Sequence, residues 1–108
     1  MNRYSAVLKV EDVFTITGRG TVVTGTVDEG IFNKGDAVIV LKPDGSQREA
    51  FISCIEFSHK QLESVGAGNS CCLLLNRWEK KKTLFSEKAI IGTIPRSEFR
   101  RDDLIVKL

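Results

Sequence analysis

From Leu8 through Val10, Phe14 and Ile16 apolar side chains return at every second position, with Asp12 interrupting the series and Lys9, Glu11 and Thr15 lying between. Successive side chains of an extended chain point to opposite faces, so this period marks a strand buried on one side. Thr17-Gly18-Arg19-Gly20 then offers two glycines free to take positive φ, and the run Thr21 to Val27 is rich in β-branched side chains suited to a pleated surface. Together they predict a hairpin. Gly30 and Gly35 bracket a short connection before the apolar run Ala37 to Leu41, and Pro43-Asp44-Gly45 reads as a turn because Pro43 presets φ and Asp44-Gly45 suits the tight positions after it. Further strands are predicted over Glu49 to Phe57, Ser70 to Leu75 and Ala89 to Ile94. His59 to Gly68 reads as irregular, and Asn76 to Lys88 as a polar, mobile connection.

Turn signals recur about every ten residues and no segment sustains a period of 3.6, so the expected class is all-β, a small closed antiparallel barrel of about six to eight strands. Closure removes the exposed edges that such short strands would otherwise present. The expected barrel spans residues 1–95 and ends at Pro95. Residues 96–108 form a tail, charged at first (Arg96, Glu98, Arg100, Arg101, Asp102, Asp103) and then apolar from Leu104 to Leu108. That end is read as a strand docking on the barrel or on the sheet edge of a partner.

Composition narrows the function. The 108 residues suit one domain with one core. The longest apolar stretch is too short to cross a bilayer and no apolar secretory region follows the first residues, so the reading is a soluble, cytoplasmic chain with no membrane partner. A net charge of +2 is too small to mark a nucleic-acid binder by its field alone. Cys54, Cys71 and Cys72 lack the spacing of a disulfide framework, and the only histidine, His59, has no ligand-spaced partner, so the cysteines read as reduced packing residues and no metal or cofactor is expected.

Catalytic patterns are missing as well. The sequence has no Gly-x-x-x-x-Gly-Lys-Ser/Thr phosphate loop and no Gly-x-Ser-x-Gly elbow. Asn33-Lys34-Gly35-Asp36 is similar to a guanine-reading motif but lacks the surrounding strand and helix units, so it reads as a turn. Adjacent Glu11 and Asp12 point to opposite faces of an extended strand and form no obvious acid/base pair. The chain is read as not an enzyme. The stretch Arg77-Trp78-Glu79-Lys80-Lys81-Lys82 sets an aromatic beside cations, a combination that meets phosphate and bases, although short charge runs also serve simply as solvated loops.

The run from Val10 to Gly25, which reads VEDVFTITGRGTVVTG, resembles the opening of the second, β-barrel domain of elongation factor Tu and related translational GTPases. The resemblance continues through Val27-Asp28-Glu29-Gly30, Lys34-Gly35-Asp36, Ile55-Glu56-Phe57, Ala67-Gly68-Asn69 and Leu73-Leu74-Leu75, and leaves the tail unmatched. It implies a translation-factor barrel that holds the acceptor end of tRNA. Ile16, Val22 and Leu74, with the Glu56 carboxylate, match the slot for the 3′-terminal adenosine. An adenine can lie against apolar side chains while a carboxylate accepts a hydrogen bond from ribose. Glu11, Asp12, Phe14, Ser58, Ser70 and Cys72 match positions of the neighbouring aminoacyl pocket, where Ser70 and Cys72 replace the family's Asn and Gly. Arg77, Lys80, Lys81 and Lys82 are candidate phosphate contacts.

Two functions follow as expectations. One is a non-catalytic RNA-binding module that contacts a tRNA acceptor end or ribosomal RNA. The other is a protein-interaction or scaffold module that docks a GTPase domain or another protein without binding RNA.

Overall fold

The computed structural model describes residues 4–108, except for the side chain of Lys81. The strands are β1 (Ala6–Ile16), β2 (Gly20–Glu29), β3 (Ile31–Asn33), β4 (Ala37–Leu41), β5 (Gln47–Phe57), β6 (Lys60–Leu62), β7 (Ser64–Gly66), β8 (Ser70–Lys82), β9 (Glu87–Thr93) and β10 (Leu104–Lys107). The helical element among the described residues is a single 3₁₀ turn, Arg96–Glu98. Every pairing is antiparallel. The order β5-β4-β10-β1-β2-β8 closes through a β8–β5 pairing into a six-stranded ring, with β6 appended to β5 and β9 to β8.

Alternation within each strand fills the ring. Leu8 and Val10, Val23 and Val27, Val38 and Val40, Ile52 and Ile55, Leu73 and Leu75, and Ile105 all enter one core capped by Phe32. Side chains of all six ring strands are fully or almost fully buried there, which makes their removal from water the main stabilising term.

Two bulges decide which side chains leave this core. In β1 the pairing to β2 slips between Val10 and Asp12, leaving Glu11 without an opposite residue. An unpaired residue reverses the phase of everything beyond it. Val13 therefore enters the core, while Phe14, 49% exposed, and Ile16 turn outward. The single alternating face expected from Leu8 to Ile16 is thus two half-faces. A second slip between Ile52 and Cys54 places both Ile52 and Ile55 inside and sends Cys54 and Glu56 outside.

Close backbone approach explains two glycines. A Cβ on Gly25 would lie 2.2 Å from the Lys9 carbonyl oxygen, and one on Gly30, at φ +75°, would lie 1.8 Å from that of Ser5. No larger residue fits where β1 and β2 cross.

Of the two placements read for the tail, docking on the barrel is the one found, and two further expectations change. Leu104–Lys107 form β10, inserted between β1 and β4 with both edges used, so the ring includes them rather than ending at Pro95. Its approach is tied by Asp103, fully buried, which accepts hydrogen bonds from Lys42 Nζ at 2.5 Å and the Arg100 N–H at 2.8 Å. The segment 59–68 contains β6 and β7, and Ser58 and His59 form a two-residue turn with positive φ at both positions, the geometry that joins paired strands most tightly. The connection expected from Asn76 to Lys88 is mostly strand: β8 continues to Lys82 and pairs with β9 throughout. Both faces of that ribbon meet solvent, so it carries no apolar alternation to betray it. The radius of gyration, 14.0 Å, exceeds the value of about 13 Å for a compact chain of this length, in keeping with a projecting arm.

Candidate functional site

Four strands lie side by side on the outside of the barrel and bring two rows of side chains together. One row runs Phe14, Val22, Leu74, Cys54, and the next runs Asp12, Thr24, Cys72, Glu56, each residue directly opposite its neighbour. Direct partners share a face, so both rows point outward together. Val22, Cys54 and Leu74 pack into a small apolar cluster separate from the core, with Cys72 against it.

At this cluster Ile16, Val22, Glu56 and Leu74 line one crevice, together with Arg19, Cys54 and Cys72. The space inside is about 10 Å³, about what one water needs. Arg19 accounts for the closure. It leans from the β1–β2 turn so that its Nη1 stands 3.6 Å from Glu56 Oε1, both side chains being partly exposed. Such a pair is weak and screened by salt, so Arg19 is free to swing aside. Cys54 Sγ donates to the same Glu56 oxygen at 3.7 Å. Neither Arg19 nor Cys54 stands out in the sequence as a site residue. Arg19 reads there as a turn residue between two glycines, and Cys54 as core, because its outward turn depends on the bulge at Ser53.

The candidate aminoacyl residues do not gather in one place. Asp12, Phe14 and Cys72 share the outer face of the crevice. Glu11 is the bulge residue and lines, with Asp12, a different groove of about 710 Å³ beside Arg96, Arg100 and Arg101. Ser70 pairs its hydroxyl with that of Thr26 at 3.1 Å, and Ser58 occupies the β5–β6 turn at φ +50°. Cys71 and Cys72 are poor nucleophiles. Burial and the neighbouring Cys72 push the Cys71 thiol up to about 12, and burial together with the Glu56 charge raises that of Cys72.

The candidate phosphate contacts divide by face. Arg77 points away from the crevice side and pairs with Glu98. Lys80 and Lys82 alternate with it and are exposed on the crevice side, Lys80 Nζ being 3.7 Å from Glu87 Oε1. The side chain of Lys81 lies outside the described residues. Trp78 belongs to the same face and stacks on Phe51 of β5, ring centroids 4.8 Å apart and planes 18° from parallel. Asn33-Lys34-Gly35-Asp36 is a turn, closed by the Asn33 N–H donating to Asp36 Oδ2 at 2.8 Å and the Asp36 N–H to the Asn33 carbonyl at 3.1 Å.

The fold has a counterpart among known structures. A bacterial selenocysteine-specific elongation factor, EF-Sec, superposes on 96% of this chain with a TM-score of 0.69 and 21% sequence identity. The barrel is similar in fold to a translation-factor β domain. This chain spans 15% of the length of that factor. No protein-family model matches the chain. Among the described residues no helix is long and apolar enough to cross a membrane, and no three His, Cys, Asp or Glu side chains gather as a metal site.

Proposed function

We propose that this chain is a non-catalytic RNA-binding barrel whose crevice receives the 3′-terminal adenosine of an RNA, a tRNA acceptor end being the first candidate. The observation that carries this reading is the convergence of Ile16, Val22, Glu56 and Leu74, from four different strands or strand ends, on a single crevice. Val22 and Leu74 supply an apolar wall for the face of a purine, and Glu56 supplies an acceptor for a ribose hydroxyl. Entry requires Arg19 to leave Glu56, after which its guanidinium is free to meet the terminal phosphate. The likeness of the fold to a translation-factor domain supports the same reading, as does the resemblance of the run Val10 to Gly25.

Affinity for an isolated terminus is expected to be weak, because one stacked base contributes only about 1–3 kcal/mol and association itself is costly. The test is a chemical-shift titration with a short single-stranded RNA ending in a free 3′ adenosine, beside the same RNA carrying a 3′ phosphate. Shifts should concentrate on Ile16, Val22, Glu56 and Leu74, and Glu56→Ala should abolish the difference between the two RNAs. Shifts that bypass these residues at millimolar RNA would reject the reading.

A protein-docking role is the second reading. It is favoured by Leu84 and Phe85, which stand at the tip of the β8–β9 arm with 91% and 92% of their surface exposed.

A further inference from the structure

The arm that carries Trp78 is built in a way the crevice does not use. Residues 77–93 hold Arg77, Lys80, Lys81, Lys82 and Lys88 against Glu79 and Glu87, a net of +3 in a chain whose total is +2. The remainder of the protein therefore carries a net charge of −1, so the excess positive charge of the chain lies on the arm. A local field of this kind draws a polyanion to one place rather than to the whole surface.

The second feature is Trp78 itself. One face of its indole is held against Phe51, and with 62% of the residue exposed the other face is open to solvent. Two stacked rings on neighbouring strands form a rigid platform, since neither can rotate without losing the other. A platform of this kind suits a planar, sequence-variable ligand such as a nucleobase, because every base has a face to stack.

The third is alignment. Leu74, Trp78, Lys80 and Lys82 are even-numbered residues of one uninterrupted strand and share its outer side. Leu74 lines the crevice, Trp78 stands about 13 Å along the strand from it, and Lys82 about 26 Å. A hydrophobic anchor, a stacking plate and two ammonium groups thus follow one another on a single line.

We infer that the outer face of β8 is a track for the single-stranded 3′ segment of an RNA, with a base stacked on Trp78 and the preceding phosphates on Lys80 and Lys82. The inference rests on the RNA reading above and adds a direction to it: the terminus lies at the crevice and the chain runs 5′ along the arm. Unpaired nucleotides are required, because a base inside a duplex presents no free face to the indole.

Trp78 is the only tryptophan in the chain, so its fluorescence reports this contact alone. Titration with a single-stranded hexaribonucleotide ending in adenosine should quench it saturably, while a blunt RNA duplex of equal charge should not. By anisotropy of labelled RNA, Trp78→Leu should weaken binding about 5- to 150-fold and Trp78→Phe should restore most of it. Lys80→Gln with Lys82→Gln should reduce the slope of log K against log salt by about 1.4. Glu56→Ala should weaken binding yet leave the quench at saturation intact, which separates the track from the crevice. RNA that shifts the Val22 and Leu74 resonances without touching Trp78 fluorescence, and binds Trp78→Leu as tightly as the parent, would overturn the track and leave the crevice standing. Equal quenching by the duplex would also overturn it. So would an arm indifferent to RNA whose self-association disappears in Leu84→Ser/Phe85→Ser, since the arm would then belong to a protein contact.

Discussion

Cys72 shows how much a single side chain owes to its opposite neighbour. It faces Glu56 across the β5–β8 pairing, and burial together with that carboxylate holds its thiol protonated. Removing the charge in Glu56→Gln should lower the Cys72 pKa, enlarge the thiolate fraction at any fixed pH and speed its alkylation. Mass-spectrometric time courses with iodoacetamide near pH 8 should show Cys72 modified faster in the variant and Cys71 unmodified in both. Cys71 points into the core, and its thiol near 12 leaves almost no thiolate at that pH. An unchanged Cys72 rate would mean that the carboxylate does not face the sulfur in solution. Phe14 carries a related lesson. From sequence it belongs with Leu8 and Val10, and only the unpaired Glu11 puts it on the outside.

At the scale of elements β10 has the greatest consequence. It is four residues long, yet without it β1 and β4 would each expose an edge and the ring would open. Ile105 and Val106 would leave the interior, and Lys42 would lose Asp103. A chain ended after Pro95 is therefore expected to lose cooperative thermal unfolding, seen as a broad or absent circular-dichroism transition. A sharp transition close to that of the full chain would refute this role for β10. The contrast with β9 is instructive. That strand pairs only with β8, and most of its residues are exposed, so it shapes the arm more than it supports the barrel.

The molecule as a whole responds to pH through a contact that joins the C-terminal strand to the turn before β4. Lys107 of β10 donates to Asp36, just before β4, at 2.8 Å and also to the Ile31 carbonyl. Burial would raise the Asp36 pKa, but the Lys107 ammonium and the Asn33 N–H outweigh it and hold the carboxyl below its ordinary value. A carboxyl lowered by folding stabilises the protein fully above its unfolded pKa, about 3.9, and this contribution is lost as pH falls through the folded value. Asp36→Asn should thus be less stable than the parent at neutral pH, and denaturant midpoints of the two should draw together as pH falls below the unfolded value and through the folded one. Midpoints that differ equally at pH 7 and pH 2.5 would assign the effect to hydrogen bonding alone.

The alternation of β-branched and apolar residues, the glycine-bearing turns and the absence of a 3.6 period were enough to specify an antiparallel barrel, because those signals arise from the local geometry of an extended chain. The four crevice residues were also legible, but only through resemblance: nothing in their spacing along the chain announces that Ile16, Val22, Glu56 and Leu74 meet. That meeting depends on which strands are neighbours and on two bulges that reverse the facing of half of β1 and the end of β5. The place of Arg19 over Glu56, the insertion of Leu104 to Lys107 between β1 and β4, and the extension of β8 into a solvent-bathed arm were likewise decided by tertiary structure. Pairing register and ring closure are relations between distant segments, and a local pattern holds no record of them.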